Sequence, residues 1–272
     1  MIPYPRINPD IIHVGPIAVR WYGMMYILGF AASFFLLRYQ VKKLSSQNIK
    51  AKQPQQNSGC SSLSLEYLDA LYSSIIPGLI IGARLGYVLF YNLPYYLQNP
   101  LEIFTVWHGG MSFHGGLIGS IVGGFLFCRK YRICFWRTAD LIIVTAPIGL
   151  AFGRLGNFIN GELYGRVTDV PWAMIFPSGG PVPRHPSQLY ECFLEGIVLF
   201  IILWVARNRV KRDGNLTLLF VVFYGLFRFL AEFTREPDQQ IGFIIGMVTM
   251  GQLLSLSMIL IALGTLYIRG RR

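Results

Sequence analysis

Long apolar runs alternate with short polar or basic segments along the whole chain. The runs are long enough for helices that cross a bilayer, because a membrane-spanning helix needs about 20 mostly apolar residues. The pattern predicts seven such helices, near 19–37, 67–91, 111–128, 139–158, 187–206, 216–233 and 242–267. We therefore expect an all-α integral membrane protein with seven transmembrane helices, in which residues 1–272 form a single membrane domain.

Basic residues gather at every second connection between the predicted helices. Four clusters hold 16 of the 24 lysines and arginines: Arg38, Lys42, Lys43, Lys50, Lys52; Arg129, Lys130, Arg132, Arg137; Arg207, Arg209, Lys211, Arg212; and Arg269, Arg271, Arg272. Cytoplasmic loops carry such clusters. The pattern predicts an N-terminus outside and a C-terminus in the cytoplasm. The net charge of +11 is thus a sign of topology, and we expect no nucleic-acid partner.

The composition agrees with a membrane protein, since only 14% of the residues are charged, against about 25% in soluble domains. No cleavable signal peptide is expected, because the first apolar run is itself long enough to span. The polar stretch near 45–64 predicts a disordered cytoplasmic loop. The proline-rich stretch near 159–186 predicts a small ordered cap on the outer face. Four cysteines without a CxxC motif predict ordinary thiols and no disulfide framework.

Glycines recur at four-residue spacing in several predicted helices. Such rows let helix backbones approach closely. The rows are Gly78, Gly82, Gly86; Gly115, Gly119, Gly123; and Gly149, Gly153. No internal repeat is evident.

Four charged residues fall inside or at the ends of the apolar runs, namely Arg84, Arg154, Arg228 and Glu232. Each charge at the centre of a membrane helix costs roughly 2.5–3.5 kcal/mol, so together they cost on the order of 10 kcal/mol. Such charges usually serve a function. They indicate a polar cavity within the membrane that receives an anionic ligand.

The densest polar stretch is GRLGNFINGELYGR, residues 153–166. Arg154 and Asn157 are three residues apart and share a face if the helix continues, with Asn160 and Glu162 close behind. Arginine suits a phosphate because its planar fork donates two parallel hydrogen bonds. A purely structural alternative is a capped helix end with a salt bridge between Arg154 and Glu162.

Tyr224, Arg228 and Glu232 lie four residues apart in the sixth predicted helix and therefore share one face. Arg228 and Glu232 either form a structural pair, or Glu232 holds Arg228 in place for a ligand. The pattern alone leaves both open.

Three further candidates lie at outer helix ends, namely Tyr22, His114 and His185. A histidine can exchange a proton near neutral pH. His114, in SFHGGLIG, is the strongest candidate for that task, although a lone histidine at a helix start often only satisfies hydrogen bonds.

Four motifs, in the order SFHGGLIG, GRLGNFINGELYGR, RHPSQLYE and YGLFRFLAEFTREPD, together closely resemble the bacterial prolipoprotein diacylglyceryl transferase family. The resemblance covers nearly the whole chain, from RWYGMMYILGF at 20–30 to the last predicted helix. It departs from the family mainly in the polar insert around 45–64.

The resemblance implies an enzyme that transfers the diacylglyceryl group of phosphatidylglycerol to the lipobox cysteine of a prelipoprotein signal peptide. A thioether forms and glycerol phosphate leaves, and no cofactor is needed. It implies an inner-membrane location with the active site towards the outer leaflet. It implies catalytic roles for His114 as base and for Arg154 and Arg228 as phosphate contacts. We expect the substrate-binding residues to be Tyr22, Asn157, Asn160, Glu162, Gly165, His185, Tyr224, Glu232 and Arg235.

The main alternative is an anion or lipid transporter that uses the intramembrane arginines. A transporter should also place polar residues through the inner half, whereas here they gather in the outer half. A retinal protein is excluded because all six lysines lie in predicted inner loops.

Overall fold

The structure is a computed structural model, and it describes residues 2–5, 7–14, 17–51, 60–106, 109–236, 243–245 and 248–271. Helices dominate these residues: α1 Trp21–Ala51, α2 Leu68–Tyr91, α3 Leu93–Gln98, α4 Phe113–Tyr131, α5 Phe135–Ile143, α6 Ala146–Ile159, α7 Ser187–Glu191, α8 Leu199–Ala206, α9 Asn215–Ala231 and α10 Met250–Gly270. A π-helical turn, Cys192–Val198, joins α7 to α8. Short strands form two antiparallel hairpins: β1 Asp10–Val14 with β2 Ile17–Arg20, and β3 Phe243–Ile245 with β4 Val248–Thr249.

Several of these helices are long and apolar enough to cross a membrane. Within the described part of the chain there are four, Trp21–Ser46, Leu65–Tyr91, Ser187–Ala206 and Met250–Gly270. A fifth candidate combines α5 and α6, which are bent by 43°. The mostly helical architecture and these candidate spans confirm the prediction of an integral membrane protein.

Two of the predicted helices differ from the observed ones. The run 139–158 is not one straight helix, because Pro147 in the first turn of α6 has no N–H to donate and its ring crowds the preceding turn. The run 242–267 does not begin as a helix, because residues 243–249 contain β3 and β4. Helix α10 begins only after Thr249. The Thr249 hydroxyl accepts a hydrogen bond from Gln252 N–H, and the Gln252 side chain accepts one from Thr249 N–H, which together form a capping box.

At its C-terminal end α1 continues to Ala51, into the stretch predicted as disordered. Residues 52–59 of that stretch lie outside the described residues.

The chain forms two compact units, the first from Met1–Leu37 and Ala139–Arg272 and the second from Arg38–Thr138. In the second unit, α2 and α4 pack through their glycine rows. A Cβ on Gly82 would come within 2.8 Å of the Cα of Gly119, and one on Gly86 within 2.8 Å of that of Gly115. The first two rows therefore make a close helix interface. In the third row, nothing lies within 4 Å of a Cβ on Gly149 or Gly153, but a Cβ on Gly29 of α1 would lie 3.3 Å from the Cα of Gly149.

Arg84 is buried in the second unit and organises the connection between α3 and α4. Its guanidinium donates to main-chain carbonyls of that connection, Nε to Ile103 at 2.8 Å and Nη1 to Gly109 at 2.6 Å and Gly110 at 3.2 Å, with Nη2 donating to Glu102. The guanidinium carbon of Arg84 lies 5.1 Å from the centroid of the Tyr96 ring. Arg84 therefore has a structural task.

A disulfide joins Cys60 to Cys134 in the second unit, and the prediction of ordinary thiols is wrong for this pair. The adjoining backbones are paired as well, because Ser61 N–H donates to Arg132 O at 2.8 Å and Cys134 N–H donates to Ser61 O at 2.9 Å. Sequence spacing did not reveal the bond because the two cysteines are 74 residues apart.

The first unit has an apolar core where the end of α5 meets α8 and α9. Its fully or nearly buried members are Val144, Leu199, Leu203, Leu216 and Phe227. At one end of this core, Asp140 of α5 caps α9.

Asp140 accepts hydrogen bonds from the N–H groups of Gly214 at 2.6 Å and Thr217 at 2.8 Å, and from the Thr217 hydroxyl at 2.7 Å. A carboxylate at a helix N-terminus is stabilised by the unpaired N–H groups there.

Residues 160–186 fold around a buried aromatic ring. Phe176 is fully buried, and its ring centroid lies 5.0 Å from that of Tyr4 and 5.5 Å from that of Tyr164. The Tyr4 hydroxyl donates to Phe158 O at 2.6 Å and so ties the N-terminal segment to the end of α6.

Candidate functional site

A network of ion pairs centred on Glu191 lies inside the first unit. The Glu191 carboxylate is fully buried. Its oxygens lie 2.7 Å from Nη2 of Arg154, 3.0 Å from Nη1 of Arg228 and 3.3 Å from Nη1 of Arg235. One acidic side chain thus gathers three arginines that are distant in the sequence.

Two more carboxylates complete this arginine site, which comprises Arg154, Arg228, Arg235, Glu191, Glu195 and Glu232. Glu232 Oε2 lies 2.8 Å from Nη2 of Arg228, so the predicted pair four residues apart on α9 is present. The Glu232 Oε1 accepts a hydrogen bond from the Thr249 hydroxyl at 3.1 Å. Glu195 is fully buried beside Glu191, one turn further along the π-helical turn.

Close helix packing brings these side chains together. A Cβ added to Gly196 would come within 2.5 Å of the Cβ of Ala151, so glycine lets the π-helical turn lie against α6 one turn before Arg154. π-Helical turns occur often at functional sites because they displace side chains from the regular helical positions.

The two arginines predicted to be catalytic differ in their remaining hydrogen-bonding capacity. Arg154 uses only Nη2, while its Nε and Nη1 have no partner among the described residues. Arg228 uses Nη1 towards Glu191 and Nη2 towards Glu232, which leaves Nε. Both side chains remain partly accessible, at 19% and 17%. Arg154 therefore has the larger capacity to bind an added anion.

The structural alternative, a salt bridge between Arg154 and Glu162, is not observed among the described residues. Glu162 instead accepts hydrogen bonds from Nδ2 of Asn157 at 2.8 Å and of Asn160 at 3.4 Å, and its N–H donates to Asn157 O. The two asparagines and Glu162 thus form a polar turn that ends α6. Gln188 of α7 fixes this turn by donating to Glu162 O at 2.6 Å.

Gly165 allows three backbone segments to meet beside the arginine site. Its N–H donates to His185 O at 2.8 Å, and it forms an isolated antiparallel bridge with Arg235. A Cβ here would lie 2.7 Å from the Cβ of His185 and still closer to Thr234 O, so a larger residue would separate the segments.

His185 has its Nδ1 3.2 Å from the Tyr190 hydroxyl. Burial lowers the pKa of His185, which favours the neutral imidazole.

Tyr22 and Tyr224 both lie near α6. A Cβ on Gly156 would come within 2.9 Å of the Tyr22 ring, so Tyr22 packs directly against the turn that precedes Asn157. The Tyr224 ring stacks on Phe220 with centroids 5.5 Å apart. Tyr224 also lies close enough to the charges of Arg154 and Glu195 to interact electrostatically with them.

His114 belongs to the second unit, unlike the eleven other predicted site residues. It is exposed in the first turn of α4, just after Ser112, whose hydroxyl caps the helix by accepting from Gly115 N–H at 3.3 Å. Its part in the chemistry stays a prediction.

The sequence predictions did not include Glu191, which holds three arginines, or Glu195 beside it. The signal was present, because two acidic residues four apart interrupt the apolar run predicted at 187–206. A charged carboxylate within an apolar helix has a free-energy cost like that of an arginine there, so these residues also indicate a function. Glu191 is also the last residue of the RHPSQLYE motif.

The family model of prolipoprotein diacylglyceryl transferase matches residues 9–268 of the chain. The phosphatidylglycerol–prolipoprotein diacylglyceryl transferase of Desulfotalea psychrophila is 53% identical over 265 residues, which cover 95% of this chain and 92% of that protein. The proteins of the same name from Geobacter sulfurreducens and Bordetella avium are 51% and 47% identical, over 99% and 100% of this chain and 98% of each relative. The chain therefore belongs to the prolipoprotein diacylglyceryl transferase family.

Proposed function

We propose that this protein transfers the diacylglyceryl group of phosphatidylglycerol to the cysteine thiol of a prelipoprotein. The thiol sulfur forms a bond to the glycerol carbon that carries the phosphate, and the carbon–oxygen bond breaks. Glycerol phosphate leaves with the electron pair, and the thiol proton goes to a base or to solvent. Family membership carries this proposal. A transporter finds no support in the named relatives.

The arginine site supplies what this reaction needs. The phosphodiester carries one negative charge, and a second develops on the phosphate as the carbon–oxygen bond breaks. Arg154 donates to it through Nε and Nη1, and Arg228 through Nε, while Glu191 holds both guanidinium groups in place. Preorganised donors at a developing charge are usually the largest single contribution to catalysis. Glu232 and Arg235 position this pair.

The remaining predicted residues shape the surroundings of the lipid. Tyr22 and Tyr224 line the lipid site. The polar turn that ends α6 binds the glycerol headgroup through Asn157, Asn160 and Glu162. Gly165 and His185 support this turn. His114 acts as the base that receives the thiol proton. In a pH–rate profile, His114→Gln should lower the transfer rate most at low pH, where little of the substrate thiol is ionised. An unchanged rate and an unchanged profile would show that His114 is not the base.

Seven spans with the N-terminus outside complete the proposal. The added spans are α4, of 19 residues, and α9, of 17, which are about 28 and 26 Å long. A hydrocarbon core of about 30 Å suits both. The basic clusters then face the cytoplasm of a bacterial inner membrane. The arginine site opens towards the outer leaflet, where the lipobox cysteine of the signal peptide arrives.

A release assay with purified protein tests the reaction. Glycerol phosphate should leave phosphatidylglycerol only when a lipobox peptide is present, and the peptide should gain the diacylglyceryl mass. Arg154→Ala and Arg228→Ala should each lose at least about 100-fold in rate while remaining membrane-inserted. Arg20→Ala is the matched control, because that arginine is 70% exposed and its ion pair within the described part of the chain is with Asp10. Release without peptide, or near-normal transfer by both variants, would overturn the proposal.

A further inference from the structure

Glu195 is the carboxylate in the arginine site that pairs poorly. Its Oε2 lies 3.5 Å from Nη2 of Arg154, at the outer limit of a hydrogen bond, and its Oε1 lies 4.0 Å from Nη1 of Arg228. Oε1 has no hydrogen-bond partner among the described residues. Glu191, four residues away, has three cationic nitrogens within 3.3 Å. The neighbouring acids therefore have very different pairing.

Full burial makes this difference important. An ionised carboxylate that leaves water needs close cations and hydrogen bonds, because its desolvation costs several kcal/mol. The groups that face Glu195 are Arg154 from α6, Arg228 and Tyr224 from α9, and Glu191 on its own helix. Glu191 takes the short contacts of both arginines and adds a repelling negative charge. A buried carboxylate in such a place takes up a proton instead.

We propose that Glu195 is a neutral carboxylic acid that sets the net charge of the arginine site and so selects an anionic lipid headgroup. Three arginines against the ionised Glu191 and Glu232 leave a net charge of +1 on these six side chains. That charge matches one phosphodiester monoanion with an uncharged glycerol headgroup. A zwitterionic ethanolamine headgroup brings an ammonium group into the same positive field. This inference rests on the proposed function, since it concerns selection at the same site.

The proton on Glu195 determines how phosphatidylglycerol binding changes with pH. At neutral pH Glu195 holds its proton and the site attracts the anionic lipid. As the pH rises and Glu195 loses its proton, the net charge falls to zero. Binding of phosphatidylglycerol then weakens, and its preference over phosphatidylethanolamine declines. Glu195→Gln keeps the shape of the neutral acid and carries no proton to lose.

Paired substitutions test this directly. Binding of phosphatidylglycerol and phosphatidylethanolamine to the purified full chain is measured from neutral to alkaline pH for the wild type, Glu195→Gln and Glu191→Gln. Glu195→Gln should lose the alkaline decline in phosphatidylglycerol binding that the wild type shows. Glu191→Gln should weaken binding by about tenfold or more despite the higher net charge, because the three arginines lose the carboxylate that holds them in place. Equal losses in the two variants, or an alkaline decline that persists in Glu195→Gln, would overturn the proposal.

An infrared measurement separates this inference from the transfer activity. A protonated carboxylic acid has a carbonyl band that a carboxylate lacks. The wild type should show a band that Glu195→Gln removes. If the band and the binding behave as expected but no peptide is modified, the proposed transfer fails while the role of Glu195 stands. If transfer occurs and Glu195→Gln removes no band, the role of Glu195 fails alone.

Discussion

Arg84 and Arg154 are both arginines in apolar helices, but we expect their loss to have opposite consequences. Arg84→Ala removes the donor of five main-chain hydrogen bonds in the connection before α4, of which the four to Glu102, Ile103, Gly109 and Gly110 are at most 3.2 Å long. Hydrogen bonds to charged groups contribute about 1.5–3 kcal/mol each. Part of this connection is exposed, so water replaces some of the lost contacts. A loss of about 1 kcal/mol for each of the four shorter bonds gives about 4 kcal/mol in total.

A loss of about 4 kcal/mol is a large part of the 5–15 kcal/mol typical of a folded protein. It corresponds to a fall in melting temperature of roughly 8–16 °C. Arg84→Lys should fall in between, because an ammonium group has three donors and lacks the planar fork. Arg154→Ala should change the melting temperature far less, since Glu191 keeps Arg228 and Arg235 as partners.

Thermal unfolding in detergent, followed beside the transfer rate, separates the two roles. Arg84→Ala should melt early and become sensitive to protease within residues 93–112, and the surviving folded fraction should retain activity. Arg154→Ala should melt near the wild type and be inactive. An unchanged melting temperature in Arg84→Ala, or an equal loss of stability in Arg154→Ala, would refute the reasoning from hydrogen-bond donors.

Three further substitutions test the fold around the site. Asp140→Ala should destabilise the protein by about 2–4 kcal/mol in thermal unfolding, because the start of α9 loses its cap, whereas Asp140→Asn keeps one acceptor and should lose less. Gly82→Val should force α2 and α4 apart and lower the yield of folded protein, while Gly264→Val, with nothing within 4 Å, should not. Because burial lowers the pKa of His185, the unfolded chain binds the proton first as the pH falls below about 6.5. The melting temperature should therefore decline with acid, and less steeply in His185→Gln.

The sequence predicted the membrane class, most helix positions and most of the residues now found around the arginine site. Local spacing was sufficient for the pair on α9, because residues four apart on a helix are neighbours. It could not supply the partners of Arg154, Glu191 and Glu195, which lie 37 and 41 residues ahead. These partners of Arg154 are set by the packing of α6 against the π-helical turn. Residues 243–249 were missed because short apolar runs suit strands and helices alike.

The cost of burying a charge identifies the arginines within apolar helices, but it does not distinguish an arginine that stabilises the fold from one that binds a ligand. Arg84 is more deeply buried than Arg154, with 4% of its surface exposed, yet its donors are used up by main-chain carbonyls of its own unit. Arg154 keeps two of its three nitrogens unpartnered among the described residues and faces a carboxylate that a phosphate resembles in charge. A buried arginine with spare donors still needs an anion, whereas one with none has already found its partners. The remaining donors, more than the depth of burial, therefore distinguish an arginine that binds a ligand from one that holds the fold.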